Sequence, residues 1–173
     1  MVLLTPSPNA IKEIHDTFVQ RYGVAGYMCE GMVEGCLERA TTFVYDFQPF
    51  PKLFLKAAAL LYSIIVFHPF VDANKRTAFE STKILLRLNG YQLTVTPSEG
   101  VNFTKAIAEL KIVEVVDIAK WLRQHSKRNA SYTIQSFLLK FIIFSYSKTS
   151  KERRVTIPKE TLLLLQATSV FPD

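Results

Sequence analysis

One stretch of nine consecutive residues contains the side chains that phosphate chemistry needs, and it runs from His68 to Arg76 as His-Pro-Phe-Val-Asp-Ala-Asn-Lys-Arg. A histidine such as His68 can accept a hydroxyl proton near neutral pH. A carboxylate such as that of Asp72 is a hard oxygen ligand, and Mg²⁺ that bridges phosphates commonly takes one or two protein carboxylates. Lys75 and Arg76 add two positive charges. The stretch therefore predicts a site of phosphoryl or nucleotidyl transfer.

Two helices are predicted to hold this stretch between them. Residues 52–67 are nearly all apolar, as in a helix at the centre of a domain, and the helix must end before Pro69 because proline disfavours helical geometry in the preceding residue. A second helix is predicted from about Lys75 to Asn89, with Gly90 as its stop signal. The free N–H groups and the dipole at the start of such a helix favour anions, phosphates especially.

Helical periodicity also dominates the rest of the chain as far as Asn129, which predicts an all-α bundle. Asn9 is expected to cap the first helix, and residues 94–100 are expected to form a linker. The other apolar stripes with helical spacing lie within residues 11–22, 28–40, 103–110 and 115–122. Residues 41–51 combine β-branched and aromatic residues with prolines, which indicates an extended segment or a short hairpin.

The tail of the chain has a different pattern, with a dense apolar block, a basic stretch and a β-like segment at residues 155–158. We therefore predict two parts: a helical domain over residues 1–128 and a C-terminal extension of unknown role over residues 129–173.

Composition limits the class of protein. The chain of 173 residues has 49% hydrophobic and 21% charged residues, which is too apolar for a disordered chain. No apolar run reaches the ~18 residues of a membrane span, and residues 1–6 lack a basic secretory n-region, so a cytoplasmic protein is expected. Cys29 and Cys36 are expected to be buried thiols in a reducing compartment. The net charge of +6 does not decide between nucleic acid, a phosphorylated small molecule and an acidic partner.

Residues 68–76 resemble the signature of the Fic/Doc superfamily, and specifically of its Doc ("death on curing") branch, which is His-x-Phe-x-(Asp/Asn)-(Ala/Gly)-Asn-Lys-Arg. Every fixed position matches. The resemblance extends over residues 9 to 125 or so, through segments 26–40, 56–63 and 88–91, and leaves the tail uncovered. It implies an all-α, Fic/Doc-type helical bundle with a short β-like flap and an appended C-terminal segment.

The resemblance also implies a role for each residue of the signature and of the flap. His68 would be the base that deprotonates a target hydroxyl, and Asp72 would hold Mg²⁺. Phe70 would be structural. The nucleotide- and phosphate-binding residues would be Ala73, Asn74, Lys75 and Arg76, with orientation of the loop as an alternative for Asn74. The flap that docks a segment of the target protein as an added strand would include Phe43, Val44 and Tyr45.

Two departures from the commoner Fic signature bear on the reaction. Members that transfer AMP have a glycine where this chain has Lys75 and a further arginine where it has Phe79. The Doc branch shares both changes and transfers the γ-phosphoryl group of ATP. The resemblance therefore implies phosphoryl transfer from ATP, with Mg²⁺, to a protein hydroxyl, and elongation factor Tu is the implied target. Adenylyl transfer is the second hypothesis.

The sequence also bears on how the protein is regulated. No (Ser/Thr)-x-x-x-Glu-(Gly/Asn) inhibitory motif of the Fic type occurs, so a separate antitoxin is expected instead.

A third hypothesis is an inactive Fic-like binding or regulatory protein, and direct nucleic-acid binding is the least favoured. Asp72 and Asn74 could also be simple turn and cap residues, while His15 and His125 are expected to be structural.

Overall fold

The computed structural model describes residues 3–42, 47–135, 138 and 154–157. The main helices are α1 (Pro8–Tyr22), α2 (Met32–Thr41), α3 (Leu53–Phe67), α4 (Asn74–Leu88), α5 (Pro97–Ala108) and α6 (Val115–Gln124), and residues 130–135 are also helical. The strands are β1 (Leu3–Pro6), β2 (Tyr91–Leu93), β3 (Ser126–Arg128) and β4 (Arg154–Ile157). The core is helical and the strands have three or four residues each, which confirms the all-α helical bundle.

Helix α3 is the central element of the bundle, as its sequence predicts. It packs against α2, α4 and α6, and its residues 57–61 are fully buried. A helix surrounded on most sides by other helices must be apolar around most of its circumference, and this one is. The central helix therefore holds its C-terminal end, where His68 follows, in a fixed place.

Helix α4 lies beside α3 and buries one face, which includes Ala78, Thr82 and Leu85. It begins at Asn74 and ends at Leu88, one residue earlier at each end than the prediction. The Asn89 side chain accepts a hydrogen bond from the Leu4 N–H at 3.2 Å and donates to the carbonyl oxygens of Leu4 and Leu85, each at 2.8 Å. This amide ties strand β1 to the end of α4.

Several helix starts differ from the prediction. Helix α1 is capped by Ser7, whose Oγ accepts the Ala10 N–H at 3.1 Å, so Asn9 lies inside the first turn and the predicted cap is wrong. Pro8 fits the first turn because it needs no hydrogen-bond acceptor there. Helix α2 begins only at Met32, after Gly31 with a φ of 79°.

The prediction of two buried thiols is wrong for one of them. Cys29 lies before α2 and is exposed, whereas Cys36 on α2 is buried. Burial raises the pKa of the Cys36 thiol to about 11. Cys36 is thus a small apolar core residue in its protonated form.

The predicted linker over residues 94–100 is partly helix. Thr96 caps α5: its hydroxyl accepts the Glu99 N–H at 3.3 Å, and a Glu99 carboxylate oxygen accepts the Thr96 N–H at 2.7 Å. Such a capping box satisfies donors at the start of the helix reciprocally. In the stripe predicted for this helix Phe103 and Ile107 are buried, but Leu110 is 60% exposed because the helix has already ended.

Thr96→Ala is expected to lower the free energy of unfolding by about 1 kcal/mol, because the hydroxyl that accepts the Glu99 N–H is lost. Thr96→Ser keeps a hydroxyl at the same place and is the matched control, with a change near zero. Chemical denaturation of the three proteins measures both values. Equal stability of Thr96→Ala and wild type would show that the capping box contributes nothing.

The short strands form two pairs, and β1 and β2 both contact α4. Strand β2 pairs antiparallel with β3, and β1 pairs in parallel with β4, where Leu3 lies opposite Arg154. Strand β4 confirms the β-like segment near residue 155, and it joins the C-terminal segment to the first strand of the chain. The domain boundary at residue 128 stays a prediction.

Within the described residues, no helix has the length and apolar character that crossing a membrane requires.

Candidate active site

The loop between α3 and α4 carries the predicted chemistry, and two strained residues bracket it. His68 ends α3 with φ 49° and ψ 60°, and Ala73 precedes α4 with φ 58° and ψ 13°. Both lie in the left-handed region, which costs a residue with a side chain about 1–2 kcal/mol. Such strain persists only where surrounding contacts impose it. His68 is exposed at the entrance of this loop.

Asn74 supplies one of those contacts. Its buried side chain accepts a hydrogen bond from the Phe70 N–H at 3.0 Å and donates one to the Phe70 carbonyl at 2.7 Å. A side-chain amide that satisfies both backbone groups of one residue closes the loop into a fixed turn. These contacts correspond to the loop-orienting alternative for Asn74.

Phe70 anchors the loop to helix α1. Its ring is 1% exposed and stacks on the His15 imidazole with centroids 4.0 Å apart and planes 8° apart. The Tyr27 ring lies 5.6 Å away at a tilt of 52°. The buried His15 also contacts Asp16, with Nδ1 3.1 Å from Oδ1. His15 is structural, and what it supports is the loop that carries His68.

The segment between α1 and α2 braces the same loop through its backbone. The Met28 N–H donates to the Pro69 carbonyl at 2.9 Å, and the Val71 N–H donates to the Gly26 carbonyl at 3.0 Å. Gly26 has a φ of 146°, and a Cβ there would lie 2.9 Å from Val71 Cγ2. The positive φ and the close approach of these two segments of the chain therefore require glycine at position 26.

Asp72 projects from the loop as an exposed, oriented carboxylate. Oδ1 accepts the Ala73 N–H at 2.6 Å. The Ala73 N–H, with smaller effects from Val24, Arg76 and Lys75, holds the pKa of Asp72 below its usual range. The group is thus ionised at neutral pH and available to a cation.

The donor set fits Mg²⁺ bound together with phosphate. The described residues contain no group of three or more His, Cys, Asp or Glu side chains that could form a protein cage for a metal. Mg²⁺ in phosphate-transfer sites keeps several waters and binds through one or two carboxylates plus substrate phosphates. Asp72, exposed and ionised, meets that requirement.

The start of α4 is an anion site by its backbone. Ala73 occupies the N-cap position of α4, and no side chain forms a capping hydrogen bond there. The first intrahelical bond runs from the Thr77 N–H to the Ala73 carbonyl at 2.9 Å. The N–H groups of residues 74–76 therefore have no acceptor within the helix. Lys75 and Arg76 are exposed in this first turn and add positive charge. A phosphate chain beside Asp72 would meet both sets of donors.

Lys75 and Arg76 also line one part of a groove of about 1060 Å³ along α4, between that helix, β2 and the first half of α5. Phe79 contributes an aromatic surface, and its ring packs so closely on Gly100 that a Cβ there would lie 2.9 Å from Cζ. His68 and Asp72 are not among the residues that line the groove.

The predicted site residues fall into two groups, the loop residues that the structure describes and the flap residues that lie outside the described ranges. The structure brings Phe70, Ala73 and Asn74 together in the loop, with His68 and Asp72 exposed on it and Lys75 and Arg76 at the start of α4. Phe43, Val44 and Tyr45, predicted to form the target-docking flap, lie outside the described residues. Sequence reasoning missed Gly23 beside Asp72 and the stack of His15 on Phe70, because these approaches are made across the fold and have no local signal.

Comparison with known proteins finds a family model and relatives that are similar to this chain. The model of the Fic/DOC family matches residues 5–86. "Toxin Doc" of Mycolicibacterium smegmatis is 41% identical over 63 residues, which cover 36% of this chain and 48%, or about half, of that protein. "Protein kinase doc" of Escherichia phage P1 is 31% identical over 118 residues, which cover 67% of this chain and 93% of that protein.

Proposed function

The chain belongs to the Fic/DOC family, and from this premise we propose that it transfers the γ-phosphoryl group of ATP to a hydroxyl group of a protein. It is homologous to Doc toxins, one of which is named a protein kinase. The observation that carries the proposal is the loop itself, where an exposed histidine and an ionised carboxylate lie next to an uncapped helix start with two cations.

The proposed mechanism assigns one task to each group. His68 accepts the proton of the target hydroxyl, whose oxygen forms a bond to the γ-phosphorus while the bond from that phosphorus to the bridging oxygen of ADP breaks. Asp72 would hold Mg²⁺, which neutralises charge on the phosphate oxygens. Lys75, Arg76 and the N–H groups of residues 74–76 bind the phosphates and stabilise the charge in the transition state. The Asn74–Phe70 hydrogen bonds keep the loop in place.

The choice of phosphoryl over adenylyl transfer rests on two positions. Lys75 stands where AMP-transferring members have glycine, and its side chain would lie beside the phosphates. Phe79 stands where those members have an arginine, and its ring packs on Gly100, so this position offers an apolar surface instead of a phosphate ligand. Both features disfavour the nucleotide orientation that AMP transfer needs.

The proposed setting is a toxin–antitoxin system in the cytoplasm. Elongation factor Tu is the proposed target, and its modification would block translation. A separate antitoxin is the proposed inhibitor, because the chain has no Fic-type inhibitory motif. Nucleic acid is not proposed as a direct partner.

ATP labelled at either the α or the γ phosphate tests the reaction. The purified protein is incubated with Mg²⁺, elongation factor Tu and one or the other label, and the protein bands are then counted. We expect the γ label alone on the target. Transfer of the α label would establish adenylyl transfer, and no transfer to this or any other translation factor would favour an inactive binding protein.

A further inference from the structure

The Asp72 carboxylate contacts a second segment of the chain, at the end of helix α1. A Cβ built on Gly23 would lie 2.9 Å from Asp72 Oδ2, closer than real Cβ atoms come to a neighbour, so there is no room for a side chain between Gly23 and the carboxylate. The backbone N–H of the next residue, Val24, favours the ionised form of the same carboxylate and helps to lower its pKa. Gly23 and Val24 therefore flank the proposed metal ligand.

The backbone at Gly23 does not itself require glycine. Its φ of −149° and ψ of −178° are those of an extended chain, which any residue can adopt. What a side chain would lack is space, because besides Asp72 Oδ2 it would meet Val19 Cγ1 at 3.1 Å. The absence of a side chain at position 23 thus lets α1 approach the carboxylate.

The position of Gly23 is fixed by further contacts. Its own N–H donates to the Val19 carbonyl at 3.2 Å at the end of α1. On its other side, the hydrogen bonds between residues 26–28 and residues 69–71 bind the segment to the catalytic loop. The carboxylate is consequently held between two elements, with the Ala73 N–H on one side and Gly23 with Val24 on the other.

We propose that Gly23 and Val24 form a clamp that positions Asp72 for Mg²⁺, so that Gly23 is a positioning residue for the transfer reaction although it touches no substrate. The inference rests on the proposed function, since it takes Asp72 as the metal ligand. The clamp leaves the remaining lone pairs of the carboxylate free for the cation, and it keeps them in one direction without the cost of ordering the side chain on binding.

Gly23→Ala tests the clamp. The added methyl group must displace Oδ2, and the carboxylate then loses its hydrogen-bond geometry. Because Oδ2 is the end of a side chain that can rotate, the fold should survive with an unfolding midpoint close to that of wild type. We expect Mg²⁺-dependent binding of a non-hydrolysable ATP analogue, measured by calorimetry, to weaken about tenfold.

Gly35→Ala is the matched control, since a Cβ at this exposed position on α2 would meet nothing within 4 Å. It should leave binding at every Mg²⁺ concentration unchanged. Unchanged binding in Gly23→Ala, alongside Mg²⁺-dependent binding in wild type, would overturn the clamp and leave the proposed function standing.

A double-mutant cycle separates positioning from a general structural effect. Asp72→Ala removes the group on which Gly23 acts, so adding Gly23→Ala to it should change nothing further. An additional loss in the double variant would contradict the clamp, because Gly23 would then act by another route. Absence of any Mg²⁺ effect in wild type would instead refute the metal role of Asp72, and the clamp with it.

Discussion

His68→Ala is expected to lower the rate of phosphoryl transfer by about 10²–10⁴-fold, the contribution typical of a positioned general base. His68 is the exposed imidazole of the loop, and the loop is held by contacts that do not involve its ring. Binding of Mg²⁺ and nucleotide should therefore persist while the chemical step is lost. Single-turnover transfer of the γ label to the target, with binding measured on the same sample, separates the two effects.

The backbone at His68 calls for a second variant. With φ at 49°, the residue is left-handed, a conformation that asparagine adopts more readily than alanine. His68→Asn should fold as wild type and be as inactive as the alanine variant. His125→Gln is the matched histidine control, because His125 is the C-cap residue of α6 and lies outside the loop. This variant should keep full activity. Wild-type rates in His68→Asn would remove the histidine from the mechanism.

Phe70→Ala is expected to lower the free energy of unfolding by about 3–5 kcal/mol, the usual cost of deleting a buried aromatic ring. The ring is 1% exposed and packs on His15 and Tyr27, so a cavity would open between these residues and the loop. Since the free energy of unfolding of a native domain is about 5–15 kcal/mol in total, this variant would lose much of its stability. Chemical denaturation measures the change.

Two further variants test whether the loss of stability comes from the buried ring of Phe70. Phe70→Leu refills most of the cavity and should lose less stability than alanine. Phe47→Ala removes a phenylalanine ring that is 67% exposed and should have little effect. A loss below about 1 kcal/mol for Phe70→Ala would contradict the role of the ring as the anchor of the loop.

The helices could be predicted from the sequence because their signal is repeated over many residues. The apolar run of α3 and the stripe of α4 gave their bounds to within one or two residues, and the proline and glycine that end them are local signals. Caps were harder. Ser7 and Asn9 are both good capping residues, and the choice between them depends on where Pro8 lies in the first turn.

The β-branched residues of segment 155–158 did indicate β4, but strands β1, β2 and β3 and the braces of the loop could not be predicted in the same way. Strands of three or four residues are too short for alternation to be visible. The chemical content of residues 68–76 indicated phosphate transfer, but the Phe70–His15 stack and the close approach of Gly23 to Asp72 join residues about fifty positions apart. Such contacts depend on how α1 packs against the rest of the bundle, for which a single sequence carries no local signal.

In the proposed function, the loop from His68 to Arg76 moves phosphate onto a protein. Mass spectrometry of elongation factor Tu after incubation with the protein, ATP and Mg²⁺ tests it most directly, with His68→Asn in parallel. We expect one added phosphoryl group on a hydroxyl side chain of the target with wild type and none with the variant. An added AMP, or an equal phosphate signal with His68→Asn, would contradict the account.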